Sequence, residues 1–145
     1  IRQKTADASL PLTDENIGAT ARRLREELGM DAVAILTAET VRGFSAKTVL
    51  IDGIRGDAEV RYFRSVFDSF TLIFIKAAFV IRLQRMQTRG RSDDTTTEPS
   101  LRARDEREES FGLAAAAALA DITLSNETGR EQFEAESLRL IRSLA

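Results

Sequence analysis

The sequence predicts an α/β layer fold with a parallel sheet, and three observations carry that expectation. Three short runs rich in β-branched and aromatic residues, 48–52, 70–75 and 122–124, read as strands. The stretches between them repeat apolar residues at helical spacing. Capping and stop residues stand where those stretches begin and end. Strands that alternate with amphipathic helices pack as a parallel sheet covered by helices.

In chain order, Thr13 predicts an N-cap, with Asp14 and Glu15 in the first turn, where the helix dipole favours negative charge. Ile17, Ala21, Leu24 and Leu28 make the apolar face, and Gly29 stops the helix. Asp31 is expected to cap a second helix carrying Val33, Ala34 and Val41. Thr48 to Asp52 reads as a fully buried strand that ends on a carboxylate. Asp57 opens a helix with Val60, Phe63 and Phe67 on one face. Phe70 to Ile75 is the second buried strand, and Phe79 to Arg89 is a helix closed by Gly90. Residues 91–100 are polar, contain Pro99 and lack periodicity, so they read as a loop or lid. A charged helix over Leu101–Phe111 and an alanine-rich one over Leu113–Ala120 follow, then a third short strand at Ile122–Leu124. Thr128 and Glu131 read as a capping box ahead of a last helix bearing Phe133, Leu140, Ile141 and Leu144. No repeat or linker divides the chain, so residues 1–145 read as a single domain.

Composition narrows the chemistry. With 145 residues and 43% hydrophobic content, the chain can bury a core without metals or disulfides. It has no cysteine and no histidine, which excludes disulfide frameworks, thiol nucleophiles, Cys/His zinc sites and histidine acid–base catalysis. Chemistry must come from Asp, Glu, Arg, Lys, hydroxyls or an oxygen-ligated metal. A net charge of −2 weighs against a nucleic-acid partner. The apolar stretch 70–81 contains Lys76 and is about half the length of a membrane span, so no membrane partner is expected. With no basic-then-apolar leader in view, a cytoplasmic location is the expectation. The first residue is Ile1, and the chain is expected to begin inside a longer gene product. Of the 21 basic residues, 18 are Arg; the guanidinium fork suits phosphate and carboxylate, although composition bias alone produces the same count.

Ligands of parallel α/β folds sit at the carboxyl ends of the strands, which places Asp52 to Arg55 at the expected site. In Val49-Leu50-Ile51-Asp52-Gly53-Ile54-Arg55, Asp52 can hold a magnesium ion through water. Gly53 lets the backbone turn, and Arg55 reaches an anion over the same edge. The plainer alternative is a strand end and turn, with Arg55 salt-bridged to an acid. A second constellation is Arg82, Arg85, Arg89 and Arg91, with no acid between positions 69 and 92. It reads either as charge stabilisation for phosphoryl transfer or as a solvated helix face, with Asp93 and Asp94 neutralising the nearest pair. Arg102, Arg104 and Arg107, among Asp105, Glu106, Glu108 and Glu109, read as surface ion pairing along one helix.

Several segments carry a family resemblance. Asp52-Gly53-Ile54-Arg55-Gly56-Asp57-Ala58-Glu59-Val60, Arg89-Gly90-Arg91-Ser92-Asp93-Asp94, Arg104-Asp105-Glu106-Arg107-Glu108 and Ala120-Asp121-Ile122 through Asn126 occur in this order. Leu12 to Gly18 and Leu24 to Ala34 belong to the same set. Together they resemble an archaeal family of adenylate-kinase-like P-loop NTPases similar to dephospho-coenzyme A kinase, over essentially the whole chain. The resemblance implies a nucleoside-monophosphate-kinase-type parallel sheet of five strands with a lid at 91–100, and nucleotide ligands, ATP and Mg2+. It implies that Arg2 and Arg55, with Gly53, hold the acceptor phosphate, and that Asp52 orders magnesium-bound water. Arg85 and Arg89 resemble lid-base arginines that contact ATP phosphates, with Arg91 and Arg104 beside them, and Asn126 falls near the adenine. Nothing in the sequence matches the Gly-x-x-x-x-Gly-Lys-[Ser/Thr] loop of such families, so the first strand and P-loop are expected to be absent. The functions that follow are phosphoryl transfer from ATP to a nucleotide-like acceptor, or ATP hydrolysis, by the parent protein. The alternatives are a nucleotide-responsive regulator and an inactive truncated fragment.

Overall fold

The structure, a computed structural model, describes residues 1–90, 94 and 96–144. Its elements in chain order are α1 (Arg2–Asp7), α2 (Asp14–Leu28), α3 (Ala32–Arg42), α4 (Asp57–Val66), β1 (Ile73–Lys76), α5 (Phe79–Arg89), α6 (Glu98–Glu109), α7 (Leu113–Ala118), β2 (Ile122–Ser125) and α8 (Arg130–Leu144). The fold is mixed α/β, and its sheet is a parallel pair, β1 beside β2, in register from Ile73 opposite Ile122 to Lys76 opposite Ser125.

Helix α4 organises the core. Phe63 is buried between α3, through Ala34 and Ala38, and the partly buried Phe67 and Phe70. The three rings stack, with Phe67 and Phe70 at 5.8 and 5.6 Å from Phe63. One turn earlier, Val60 packs with Leu72 and Ala116, so α4 also meets β1's entry and α7. Small residues on α3 and α7 let both helices approach α4 closely, as the expected spacing of Val60, Phe63 and Phe67 requires.

Helix ends follow the sequence signals in part. Thr13 Oγ1 accepts the Asn16 amide at 3.3 Å and caps α2, which Gly29 ends at φ 105°. Gly90 closes α5 in the left-handed region, at φ 65°. Asp31 stands at the N-cap of α3 but makes no side-chain capping bond. The expected capping box before α8 is absent: the helix begins at Arg130, and Thr128 Oγ1 has no hydrogen-bond partner. The Thr128 carbonyl accepts instead from Arg85.

Two larger expectations are corrected. Residues 48–52 form no strand, and Leu50 is 82% exposed. A strand is held by its neighbours, and among the described residues β1 pairs with β2 alone. The apolar run therefore crosses the surface outside the sheet, with Ile51 and Ile54 tucked against the Phe63 cluster. The second strand starts later than expected, at Ile73, and Ile75 is 52% exposed, so it is buried only at its entry. Within 91–100, the last three residues are the first turn of α6, capped by Thr97, with Pro99 in the first turn, where proline is tolerated. Arg91, named as part of the lid and as a phosphate ligand, lies outside the described residues. No helix among the described residues is long and apolar enough to cross a membrane.

The strand pair is anchored by a side chain at its amino end and by a backbone hydrogen bond at its carboxyl end. At the amino end, Asp121 Oδ2 accepts the Leu72 amide at 2.7 Å while Oδ1 accepts Arg64 from α4 at 2.8 Å. The Leu72 amide, with Arg64 behind it, holds the Asp121 carboxyl below the usual carboxylate range. At the carboxyl end, the Asn126 amide donates to the Lys76 carbonyl at 2.7 Å.

Candidate functional site

The turn from Asp52 to Gly56 is held from beneath by Glu59, in the first turn of α4. Its Oε2 accepts the amides of Arg55 at 2.7 Å and Gly56 at 3.2 Å. Its Oε1 accepts Arg25 of α2 at 2.6 Å, in a pair whose side chains are 4% and 2% exposed. The Arg25 guanidinium lies 4.2 Å from the centroid of the Phe111 ring, so its charge is shared between a carboxylate and an aromatic face. Gly56 completes the clamp: a Cβ there would meet the Phe111 carbonyl oxygen at 2.3 Å.

Held this way, Arg55 points at α6. Its Nη1 lies 3.3 Å from Glu108 Oε2, and Arg104 Nε lies 3.2 Å from Glu108 Oε1. Arg104 also reaches Asp14 at 3.5 Å, and Arg107 takes the same carboxylate at 2.7 Å. Arg55, Arg104 and Arg107 thus converge on Glu108 and Asp14. Arg55 is 37% exposed, whereas the two α6 arginines are each 17% exposed. The expectation that the α6 charges pair along their own helix holds for Arg102 with Glu98 and Arg104 with Glu108. It fails for Arg107, Asp105 and the second oxygen of Glu108, whose partners lie on other segments.

A second grouping lies at the carboxyl ends of the strands. Arg85 donates to the carbonyls of Asn126 at 2.8 Å and Thr128 at 3.0 Å. Asn126 therefore meets Arg85, as two residues expected at one site would, but through its backbone. Arg82 makes a two-pronged pair with Asp105, both contacts at 2.7 Å, which ties α5 to α6. The hydrogen bonds it donates to Asp105 hold the Arg82 guanidinium more firmly protonated than usual. Arg89 pairs with Asp94, as its neighbouring acids suggested. The expected site residues therefore fall into two sets, Arg55 with Arg104, and Arg85 with Asn126, joined through α6 and α5. Arg2 lies on α1.

Asp52 is exposed on the segment that crosses the surface, and Gly53 beside it adopts φ 92°. Among the described residues no three acidic side chains gather to hold a metal. One carboxylate reaching a metal through water needs other ligands to fix the ion.

Sequence reasoning missed Arg25 and Glu59. The only local signal was Glu59 standing three residues after Gly56, the spacing at which a glutamate reaches back to a helix N-cap amide.

No protein-family profile matches the chain. It is 51% identical over 144 residues to a UPF0200 protein of Methanoregula boonei, covering 99% of this chain and 79% of that relative. Against a UPF0200 protein of Methanoculleus marisnigri the identity is 48% over 141 residues, 97% of this chain and 77% of the relative. A UPF0200/UPF0201 protein of Archaeoglobus fulgidus is 41% identical over 148 residues, of which the match takes up 46% of the relative's length.

Proposed function

This chain belongs to the UPF0200 family, and we propose that it binds a phosphorylated nucleotide through Arg55 and Arg104. The binding step would serve a nucleotide-kinase-like protein of nucleoside-monophosphate-kinase architecture that transfers a phosphoryl group from ATP to a nucleotide-like acceptor. One observation carries the reading. Guanidiniums from two separate segments, Arg55 on the turn before α4 and Arg104 on α6, meet on one carboxylate, Glu108, 53 residues from Arg55 in sequence. Planar forks converging from two elements suit the oxygens of a phosphate.

The chemistry asked of these residues is positioning and charge neutralisation. Arg55, fixed through its own amide by Glu59, would orient the acceptor phosphate, while Arg104 and Arg107 would offset its charge. Arg85 is spent on two carbonyls and would act by fixing the Asn126–Thr128 segment. No step is assigned to magnesium.

A second reading, a nucleotide-responsive binding protein without a transfer reaction, is favoured by a separate observation. The partners of Arg55, Arg82 and Arg107 join α6 to the Asp52–Gly56 turn, α5 and α2. A bound anion would reset α6 against all three.

Calorimetric titration of the 145-residue chain with AMP, dephospho-coenzyme A and Mg-ATP in separate runs tests the proposal. Saturable binding of AMP or dephospho-coenzyme A that is lost in Arg55→Ala is expected, with Mg-ATP weaker because no phosphate-cradling loop stands in the sequence. A folded chain that binds neither acceptor overturns it. Binding without phosphoryl transfer by a longer relative that carries the same residues would favour the second reading.

A further inference from the structure

We propose that Glu108 is a built-in competitor for the anion site, its carboxylate standing between Arg55 and Arg104 where a ligand's phosphate would bind. The inference rests on the phosphate-binding reading above and adds a regulation to that site: the ligand must displace Glu108 from Arg55 in order to enter.

The distances separate Glu108 from the other ion pairs around it. Its contacts, 3.3 Å to Arg55 and 3.2 Å to Arg104, exceed the usual charge-assisted range. Arg107 with Asp14 and Arg82 with Asp105, on the same helix, close to 2.7 Å. Glu108 therefore holds its two arginines less tightly than Asp14 holds Arg107 or Asp105 holds Arg82, and a stronger anion exchanges with it more easily than with those pairs. Its two oxygens touch two different guanidiniums, as two oxygens of one phosphate would.

Position on the helix points the same way. Glu108 stands in the last turn of α6, where the dipole disfavours a carboxylate, so it is held there against the dipole by its pairs with Arg104 and Arg55. The two arginines also differ in what they keep when Glu108 departs. Arg104 retains Asp14. Among the described residues, Glu108 is the one carboxylate in ion-pair reach of Arg55, so Arg55 is left to the incoming phosphate. A phosphate monoester carries more charge and more acceptor oxygens than a carboxylate, and wins that exchange when the ligand is present.

AMP titrations of the wild type, Glu108→Gln and Arg55→Ala test the idea. Each variant is first checked for an unchanged far-ultraviolet spectrum and a cooperative melt. Glu108→Gln keeps the shape and removes the competing charge, so AMP should bind about two- to fivefold more tightly, the scale of one part-exposed ion pair relieved. Glu108→Ala should shift affinity in the same direction, and Arg55→Ala added to either variant should abolish the gain. If the wild type binds AMP through Arg55 while both Glu108 variants bind equally or more weakly, Glu108 is no competitor and the phosphate site stands without it. If neither the wild type nor the Glu108 variants bind AMP, the competitor and the phosphate reading fall together.

Discussion

Arg25 and Glu59, 34 residues apart in sequence, form a buried ion pair at 2.6 Å whose second carboxylate oxygen holds the backbone of Arg55 and Gly56. The pair thus joins α2 to the turn that presents the proposed ligand-binding arginine. Removing one partner would leave a charge stranded in the core, and Arg25 Nε is already buried without a partner. Glu59→Gln should therefore cost about 3–5 kcal/mol of unfolding free energy. Replacing both, with Arg25→Met and Glu59→Gln together, should cost less than Glu59→Gln alone. Urea denaturation of the two variants checks this, and a double variant less stable than Glu59→Gln would contradict it.

Two glycines should respond differently to alanine. Gly56 has φ −146°, open to any residue, so its constraint is space: the new Cβ would press on the Phe111 carbonyl, which is backbone and cannot swing away. Gly56→Ala should destabilise by about 1–3 kcal/mol through overpacking. At Gly18 the Cβ would meet the Arg107 side chain at 2.7–3.0 Å, and that side chain can move. The helix gain of about 0.5–1 kcal/mol for alanine should roughly offset the lost Arg107–Asp14 pair, leaving the melting temperature nearly unchanged. Parallel thermal melts separate the two cases.

Asp121 gives a pH dependence of known sign. Its folded carboxyl is held below its unfolded value by the Leu72 amide and Arg64. Its stabilisation is therefore complete above the unfolded value and is lost as pH falls through the lower folded value, in the window below about pH 4. Asp121→Asn should be less stable than the wild type at pH 7, and the difference should shrink as pH falls below 4. With the carboxylate 42% exposed, the effect is modest. Denaturation midpoints across that window check it, and a gap that widens toward acid would contradict the assignment.

Elements whose evidence is local were legible in the sequence. Thr13 and Gly29 bracket α2, Asp57 opens α4, and Gly90 ends α5, because caps, stops and helical spacing act over a few residues. The run 48–52 has the composition of a strand, but strand formation depends on a neighbour that composition does not specify. Helix α1 was not foreseen, since its hexamer Arg2–Asp7 is polar and carries no apolar period. The site was legible as a list of residue types, not as an arrangement. Arg55 was singled out, and the plainer expectation that an acid would pair with it is met by Glu108. Which acid it would be lay beyond local reading, as did Asp14 for Arg107, 93 residues away. Nor does proximity in sequence reveal that Arg85 would be consumed by backbone carbonyls.

The central claim, that Arg55 makes this surface a phosphate site, is tested most directly by comparing AMP with adenosine at one ionic strength. Calorimetry on the wild type should show saturable AMP binding and at least tenfold weaker adenosine binding, a difference of about 1.4 kcal/mol or more. Arg55→Ala should erase that difference without unfolding the chain, since its pair with Glu108 is part-exposed and worth about 1 kcal/mol at most. Equal binding of AMP and adenosine, or AMP affinity unchanged in Arg55→Ala, would contradict the account.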